Sequence, residues 1–498
     1  MKDFFRSNKK IILFGTIIFL FCFLFFVKIH PLVISDTDDW LYFGGTRKMI
    51  PVWRLWNPAK VLPEVLFSLM GSISTYIVYP LTNDYFGSIT IVSSILVSIF
   101  ITVFISLLVN LLIKKYKISD IDGIMIGSII FLLNFLLCTK GTYYSYLFYT
   151  HDLNCYYNYL IPNLLCFIII FIFSTYKIDY SIKFPKNYRY GLLILMLYFA
   201  IFSNLYSSII LAVYFGFKLL ENIIKTIKKF KPVQFIKDNF LLILTLGAWP
   251  ISAFYEYFGG RAQDSVDNGN LITSIKECIK GFIDFIKNNI NTKILILIII
   301  IFVLFIINYF IDNKRKKNEI KYKPYLCYLF CIIITTIYLV LLCSKVYVSY
   351  VQRIDCMFGT FEFILILLSF CIAYLIKKYP KIVIVIPFFV AYSIVQLNNY
   401  NQYFYESNIV NLNPEIFNTI NNDIVDQIKE GVKEGKNSFE VYVPNFPASD
   451  NFPYATYAGD YYVNTLINHN IINKYVSITI IPSDEKSKEL DIYYEINK

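Results

Sequence analysis

The sequence predicts an all-α polytopic membrane protein of about 11 transmembrane helices, followed by a small C-terminal extracytoplasmic α/β domain. Three observations predict it. Hydrophobic residues make up 57% of the 498 and charged residues only 16%, against about 25% charge in a soluble domain. Apolar runs of roughly 18 or more residues recur, each long enough to cross ~30 Å of hydrocarbon. Lysine and arginine collect in alternate loops, the pattern that keeps basic loops cytoplasmic.

The first run, residues 11–29, follows Lys9 and Lys10. It is too long for the apolar stretch of a signal peptide and lacks a small-residue cleavage site, so it reads as a retained signal anchor. Further runs lie at 87–113, 122–138, 159–176, 190–203, 205–220, 239–257, 292–311, 325–344, 356–376 and 382–396. Those around Ser203 and Asn204 read as two short helices meeting at the outer face. A basic N-terminus puts that end inside, and the side alternates from there. The inside segments are then 1–10, 114–117, 177–189, 218–238, 312–323 and 377–381. They hold half or more of the chain's 46 Lys and Arg, so the charge rule agrees at every crossing. The setting this implies is the plasma (inner) membrane, with the N-terminus cytoplasmic.

Domain 1–396 is the membrane domain, and its first outer loop, 30–86, is long and aromatic. Trp53 and Trp56 suit the headgroup level, and Pro58 and Pro63 are expected to break the stretch into helices lying along the membrane surface. After residue 396 the composition shifts to Asn, Asp, Glu, Pro and Tyr. Residues 414–436 carry apolar positions at helical spacing ending at Gly435. Residues 438–443, 475–481 and 489–496 alternate as strands. Domain 397–498 therefore reads as an α/β unit facing outward.

The net charge of +11 is explained by the inner loops, and no nucleic-acid partner is expected. Most of the ten cysteines, such as Cys22, Cys166, Cys327, Cys331 and Cys371, sit in apolar runs as small hydrophobes. Only Cys155 and Cys278 fall in loops placed outside, and no cysteine spacing supports a metal site.

Function is sought on the outer face, in loops 30–86, 139–158, 258–291 and 345–355. Asp36, Asp38 and Asp39 cluster just beyond the first span, beside Trp40. Acidic residues do not set topology, so the charge rule leaves them unexplained. Crowded carboxylates beside a low-dielectric slab repel one another, which suits a general base holding a proton in transit. Asp36 and Asp38 equally suit a divalent cation, and the bland reading is a solvated turn with Asp as a helix cap. The cofactor therefore stays open between a divalent cation and none. In the second loop, His151, Asp152 and Asn158 are candidates for binding sugar hydroxyls, with neighbouring aromatic rings to stack on a sugar face. Arg261, Lys345 and Arg353 stand out as cations on a face that has few. Arginine pairs bidentately with phosphate oxygens, while the bland alternative pairs Arg353 with Asp355.

A first span, an acidic motif early in a long first outer loop, surface helices and many further spans together resemble the GT-C superfamily of membrane glycosyltransferases. The stretch from "DTDDW" to "WNPAKVLPEVL" also resembles the first-loop pattern of bacterial serotype-converting glucosyltransferases. "NYLIPN" and "QRIDCMFG" resemble later landmarks of a related uncharacterised bacterial family. The resemblance covers the topology of 1–396 through short motifs. It implies a GT-C-like fold, with Asp38 or Asp39 as catalytic carboxylate and Arg261 and Arg353 at the phosphate of a lipid carrier. Two departures are plain. Relatives tend to read Asn-Gly-Arg where this chain reads "WNPAK", with Lys60 the only nearby cation, and many carry an acidic residue where this one has Asn204.

The expected activity is transfer of a sugar from an undecaprenyl-phosphate carrier to a cell-envelope glycan acceptor. One Asp deprotonates the acceptor hydroxyl, and Arg261 and Arg353 neutralise the departing phosphate. The alternatives are a polysaccharide polymerase, or a non-enzymatic transporter or assembly factor for lipid-linked oligosaccharides.

Overall fold

The structure, a computed structural model, describes residues 9–45, 59–140, 145–176, 178, 180–181, 188–258, 270–314, 323–380, 392, 406–407, 410–411, 414–445, 452–453 and 455–492. In chain order the helices begin with α1 (Lys9–Ile29), α2 (Thr37–Phe43), α3 (Val61–Thr82), α4 (Tyr85–Tyr116) and α5 (Asp120–Leu136). They continue with α6 (Leu153–Thr175), α7 (Tyr188–Ile201), α8 (Leu205–Thr226), α9 (Pro232–Asp238) and α10 (Phe240–Tyr257). The last of the apolar region are α11 (Leu271–Asn289), α12 (Thr292–Lys314), α13 (Lys323–Lys345) and α14 (Ile354–Lys378). Among the described residues nine helices are long and apolar enough to cross a membrane. This is the make-up of a multi-pass membrane protein.

Every expected span that falls among the described residues is a helix, and 382–396 lies outside them except for Tyr392, as do Trp53, Trp56 and Pro58. The helix ends follow from local chemistry. Ser119 caps α5 by accepting the Asp122 N–H, and Asn204 caps α8 by accepting that of Ser207. Asn204 thus separates α7 from α8, the break read between 203 and 204. Two expectations change in the first outer loop and the one at 258–291. Pro63 does not break α3, because it sits in the first turn, where its missing N–H is not needed. The chain therefore runs helically for 22 residues, through a π turn at Ser74–Val78, and is itself long and apolar enough to span. The segment read only as an outer loop at 258–291 contains the 19-residue helix α11.

Beyond α14, β1 (Glu406–Ser407) and β2 (Val410–Asn411) form a two-residue antiparallel pair. Helix α15 (Pro414–Lys433) follows, and Gly435 reverses the chain at φ +80°, a conformation that favours glycine. Strand β3 (Ser438–Pro444), helix α16 (Gly459–Asn468) and strand β4 (Ser477–Ser483) make a crossover with β3 and β4 parallel over seven residues. Gln427 of α15 covers the β3 edge, donating to the Tyr442 carbonyl at 2.7 Å and accepting its N–H at 2.9 Å. Of the third strand expected at 489–496, the described residues 489–492 hold the end of a short helix, α17 (Asp484–Glu489), capped by Ser483, and the turn after it. Residues 493–498 lie outside the described set.

Two compact units emerge from the contacts. One comprises Met1–Ile18, Phe100–Tyr149 and Pro162–Gln402; the other comprises Phe19–Ile99, Thr150–Ile161 and Tyr403–Lys498. The α/β segment expected after residue 396 is thus packed with the first loop and the start of α6.

Candidate functional site

The second unit gathers the acidic stretch of the first loop, and local geometry explains its form. Asp36 is in an extended conformation and caps α2, its Oδ1 accepting the Asp38 N–H at 2.9 Å. Asp39 returns the favour through a capping box. Its Oδ2 accepts the N–H groups of Asp36 at 3.1 Å and Ser35 at 2.8 Å. The capping role weighed as the bland reading is therefore real for Asp36 and Asp39.

The second loop reaches the same carboxylate. Asp39 Oδ1 accepts the N–H of Asn154 at 2.6 Å, across 115 residues of sequence. Asp152 holds that approach in place by capping the start of α6, accepting the Cys155 N–H at 2.6 Å and its thiol at 3.1 Å. Asn158 donates to the Asn154 side chain at 2.6 Å. The expected residues Asp36, Asp38, Asp39, Trp40, Asp152 and Asn158 thus belong to one connected group. His151, beside Asp152, is half-buried.

Asp39 is fully buried. Burial raises its pKa well above the ordinary carboxylate value, and the negative charges of Asp152 and Asp36 raise it further. The N–H groups of Ser35 and Asn154 pull the other way by stabilising the anion. The oxygens of Asp39, expected as a catalytic carboxylate, face three backbone N–H groups inside the protein. Asp38 is the carboxylate of the motif that is part-exposed rather than buried.

Trp40, expected to bind substrate, is fully buried, with its ring against Phe86 at 5.5 Å and Tyr462 at 4.8 Å between centroids. Its Nε1–H donates to Asn421 Oδ1 at 3.0 Å, and Asn421 in turn donates to the Ile34 carbonyl at 2.8 Å. Thr465 donates its hydroxyl to the Trp40 carbonyl at 2.8 Å. Helices α15 and α16 therefore both hydrogen-bond to α2 at its tryptophan.

His469, just past α16, adds to these contacts. It is buried, bonded through Nδ1 to the Tyr85 hydroxyl at 2.5 Å, and edge-on to Phe43 at 4.7 Å. Burial pushes its pKa down to about 4. Sequence reasoning missed Asn421, Thr465 and His469. Only His469 carried a signal, as one of three histidines in the chain.

In the first unit, Arg353 forms the bidentate pair that was its bland alternative. Its Nε donates to Asp355 Oδ1 at 3.0 Å and its Nη2 to Oδ2 at 2.6 Å, with the guanidinium 4.8 Å from the Tyr350 ring centroid. Lys345 is exposed at the end of α13. Arg261 lies outside the described residues. Among the described residues no group of three or more His, Cys, Asp or Glu side chains is placed to hold a metal ion. All ten cysteines are free thiols.

Compared with known proteins, the chain matches no family model, no curated protein and no solved structure.

Proposed function

We propose that this protein is a membrane glycosyltransferase that moves a sugar from a polyprenyl-phosphate carrier to a cell-envelope glycan, on the extracytoplasmic face of the plasma membrane. The observation that carries the reading is the Asn154 N–H on Asp39 at 2.6 Å. It joins the acidic motif of the first loop to the His151–Asn158 segment, the two stretches singled out for acid–base and sugar-binding chemistry. In this reading Asp38 takes the proton of the acceptor hydroxyl as it attacks the anomeric carbon. Asp39 is a positioning residue: it locks the turn that presents Asp38 and ties it to the second loop. His151 and Asp152 offer polar groups to the sugar, and Arg261, Arg353 and Lys345 supply positive charge for the lipid phosphate. For Arg353 that role requires sharing its guanidinium with Asp355.

The test is sugar transfer by the purified chain in proteoliposomes containing a polyprenyl-phosphate sugar. Asp38→Asn is expected to abolish transfer at unchanged expression, and full activity in that variant refutes the assignment.

One observation favours a second reading, a transporter of lipid-linked oligosaccharide. Glu362 of α14 is fully buried within a helix long enough to span, beside the Asn134 side chain. Ionisable groups at that depth mark transport paths in many membrane proteins. Glu362→Gln separates the readings, since it abolishes lipid translocation in a transporter and spares sugar transfer by an outer-face enzyme.

A further inference from the structure

The first unit gathers its lysines at one end, where α4, α8, α12 and α14 finish and α13 begins. Four of them form ion pairs. Lys218, Lys225 and Lys323 converge on Glu221 at 3.5, 3.0 and 3.6 Å, and Lys378 pairs with Asp312 at 2.8 Å. Lys114 and Lys115, at the end of α4, form no ion pair among the described residues. Both are exposed, and both line a cavity of about 490 Å³.

The rest of the lining is selective. Among the described residues it consists of Phe173, Ser174, Thr175, Tyr176, Ile178 and Tyr180. The Thr175 hydroxyl is buried without a hydrogen-bond partner among the described residues, a donor whose acceptor is missing. Ser174 and Tyr176 are held in place, the first by the Tyr214 hydroxyl at 2.7 Å and the second by the Asn110 amide at 3.0 Å. Lys114 rests over the Tyr176 ring at 4.4 Å, so its ammonium is positioned at the cavity wall. Phe173 and Tyr180 stack at 5.4 Å between centroids and give the cavity an apolar side.

We propose that this cavity binds the phosphate-bearing headgroup of an anionic membrane lipid. Two ammonium groups outside any ion pair among the described residues, and an unused hydroxyl donor, match phosphate oxygens. The apolar side suits the glycerol and first acyl carbons. The cavity lies where α4 and α6 end, both long enough to span, and so at headgroup depth. The inference is independent of the glycosyltransferase reading, since no residue is shared.

The experiment uses the full chain, delipidated in detergent and titrated with phosphatidylglycerol or phosphatidylcholine, with bound lipid counted by native mass spectrometry. Phosphatidylglycerol is expected to bind, and K114Q/K115Q to weaken it by about tenfold or more. Thr175→Val is expected to weaken it by a smaller factor and serves where the double variant fails to fold. K228Q/K237Q removes two exposed lysines outside the cavity lining and is expected to bind as wild type. Inorganic phosphate is expected to compete weakly with the lipid. Equal binding of the two lipids overturns the proposal. So does equal loss in K228Q/K237Q, which indicates adsorption by charge alone. Wild-type affinity in both K114Q/K115Q and T175V refutes it as well. Tight inorganic phosphate binding that phosphatidylglycerol does not displace assigns the site to a free anion and overturns the lipid.

Discussion

Asp38 and Asp39 are adjacent in sequence yet have different physical tasks. The Asp39 oxygens face the N–H groups of Ser35, Asp36 and Asn154 inside the protein. In Asp39→Asn the new amide NH₂ points at one side of that set, donor against donor. A loss of about 1–3 kcal/mol of stability is expected, read as a lower midpoint of thermal unfolding followed by tryptophan fluorescence. Asp38→Asn leaves these bonds in place, so it is expected to unfold as wild type while losing sugar transfer. The Asp39 pKa is raised on folding by burial first. Its contribution is therefore fully present below the unfolded value of about 3.9 and is lost as pH rises through the raised folded value. Asp39→Asn removes that slope, which a stability series against pH reads directly.

At the scale of elements, the grip of α16 on α2 depends on close approach. A Cβ on Gly44 meets Thr465 Oγ1 at 2.1 Å and Thr465 Cα at 2.4 Å. Part of that obstruction is backbone, so Gly44→Ala must push α16 away, and a loss of about 1–3 kcal/mol is expected in the same unfolding assay. His469 adds a pH dependence of opposite sign to that of Asp39. Its folded pKa of about 4 lies below the unfolded value, so its contribution is present above about pH 6.5 and is lost as pH falls towards 4. The shift corresponds to about 3 kcal/mol at most. His469→Phe is expected to flatten the acid limb of the stability curve; an unchanged limb contradicts a buried neutral histidine at this contact.

For the whole molecule, what the sequence made legible and what it hid follow from the range of the interactions. Apolar runs and basic ends are local, and the helices from Lys9–Ile29 to Ile354–Lys378 appear where the runs lie. The helix cap at Asp36 was legible for the same reason. The burial of Asp39 was not, because the N–H that reaches it comes from Asn154, 115 positions away. The packing of Trp40 was hidden for the same reason: its indole partner, Asn421, is 381 positions distant and is one asparagine in a segment rich in them. Arg353 shows the reverse case. Its partner Asp355 is two residues on, so the ion pair was legible as an alternative. The packing of α15 and α16 with the first loop gives the second unit a purpose in the proposed chemistry, since it fixes the turn that carries Asp38.

The most direct test of the central claim is the glycan composition of the cell envelope in a strain lacking this protein, complemented with wild type or with Asp38→Asn at matched membrane levels. Deletion is expected to remove one sugar substituent, wild type to restore it, and Asp38→Asn to leave it missing. An unchanged glycan on deletion, or full restoration by Asp38→Asn, contradicts the claim.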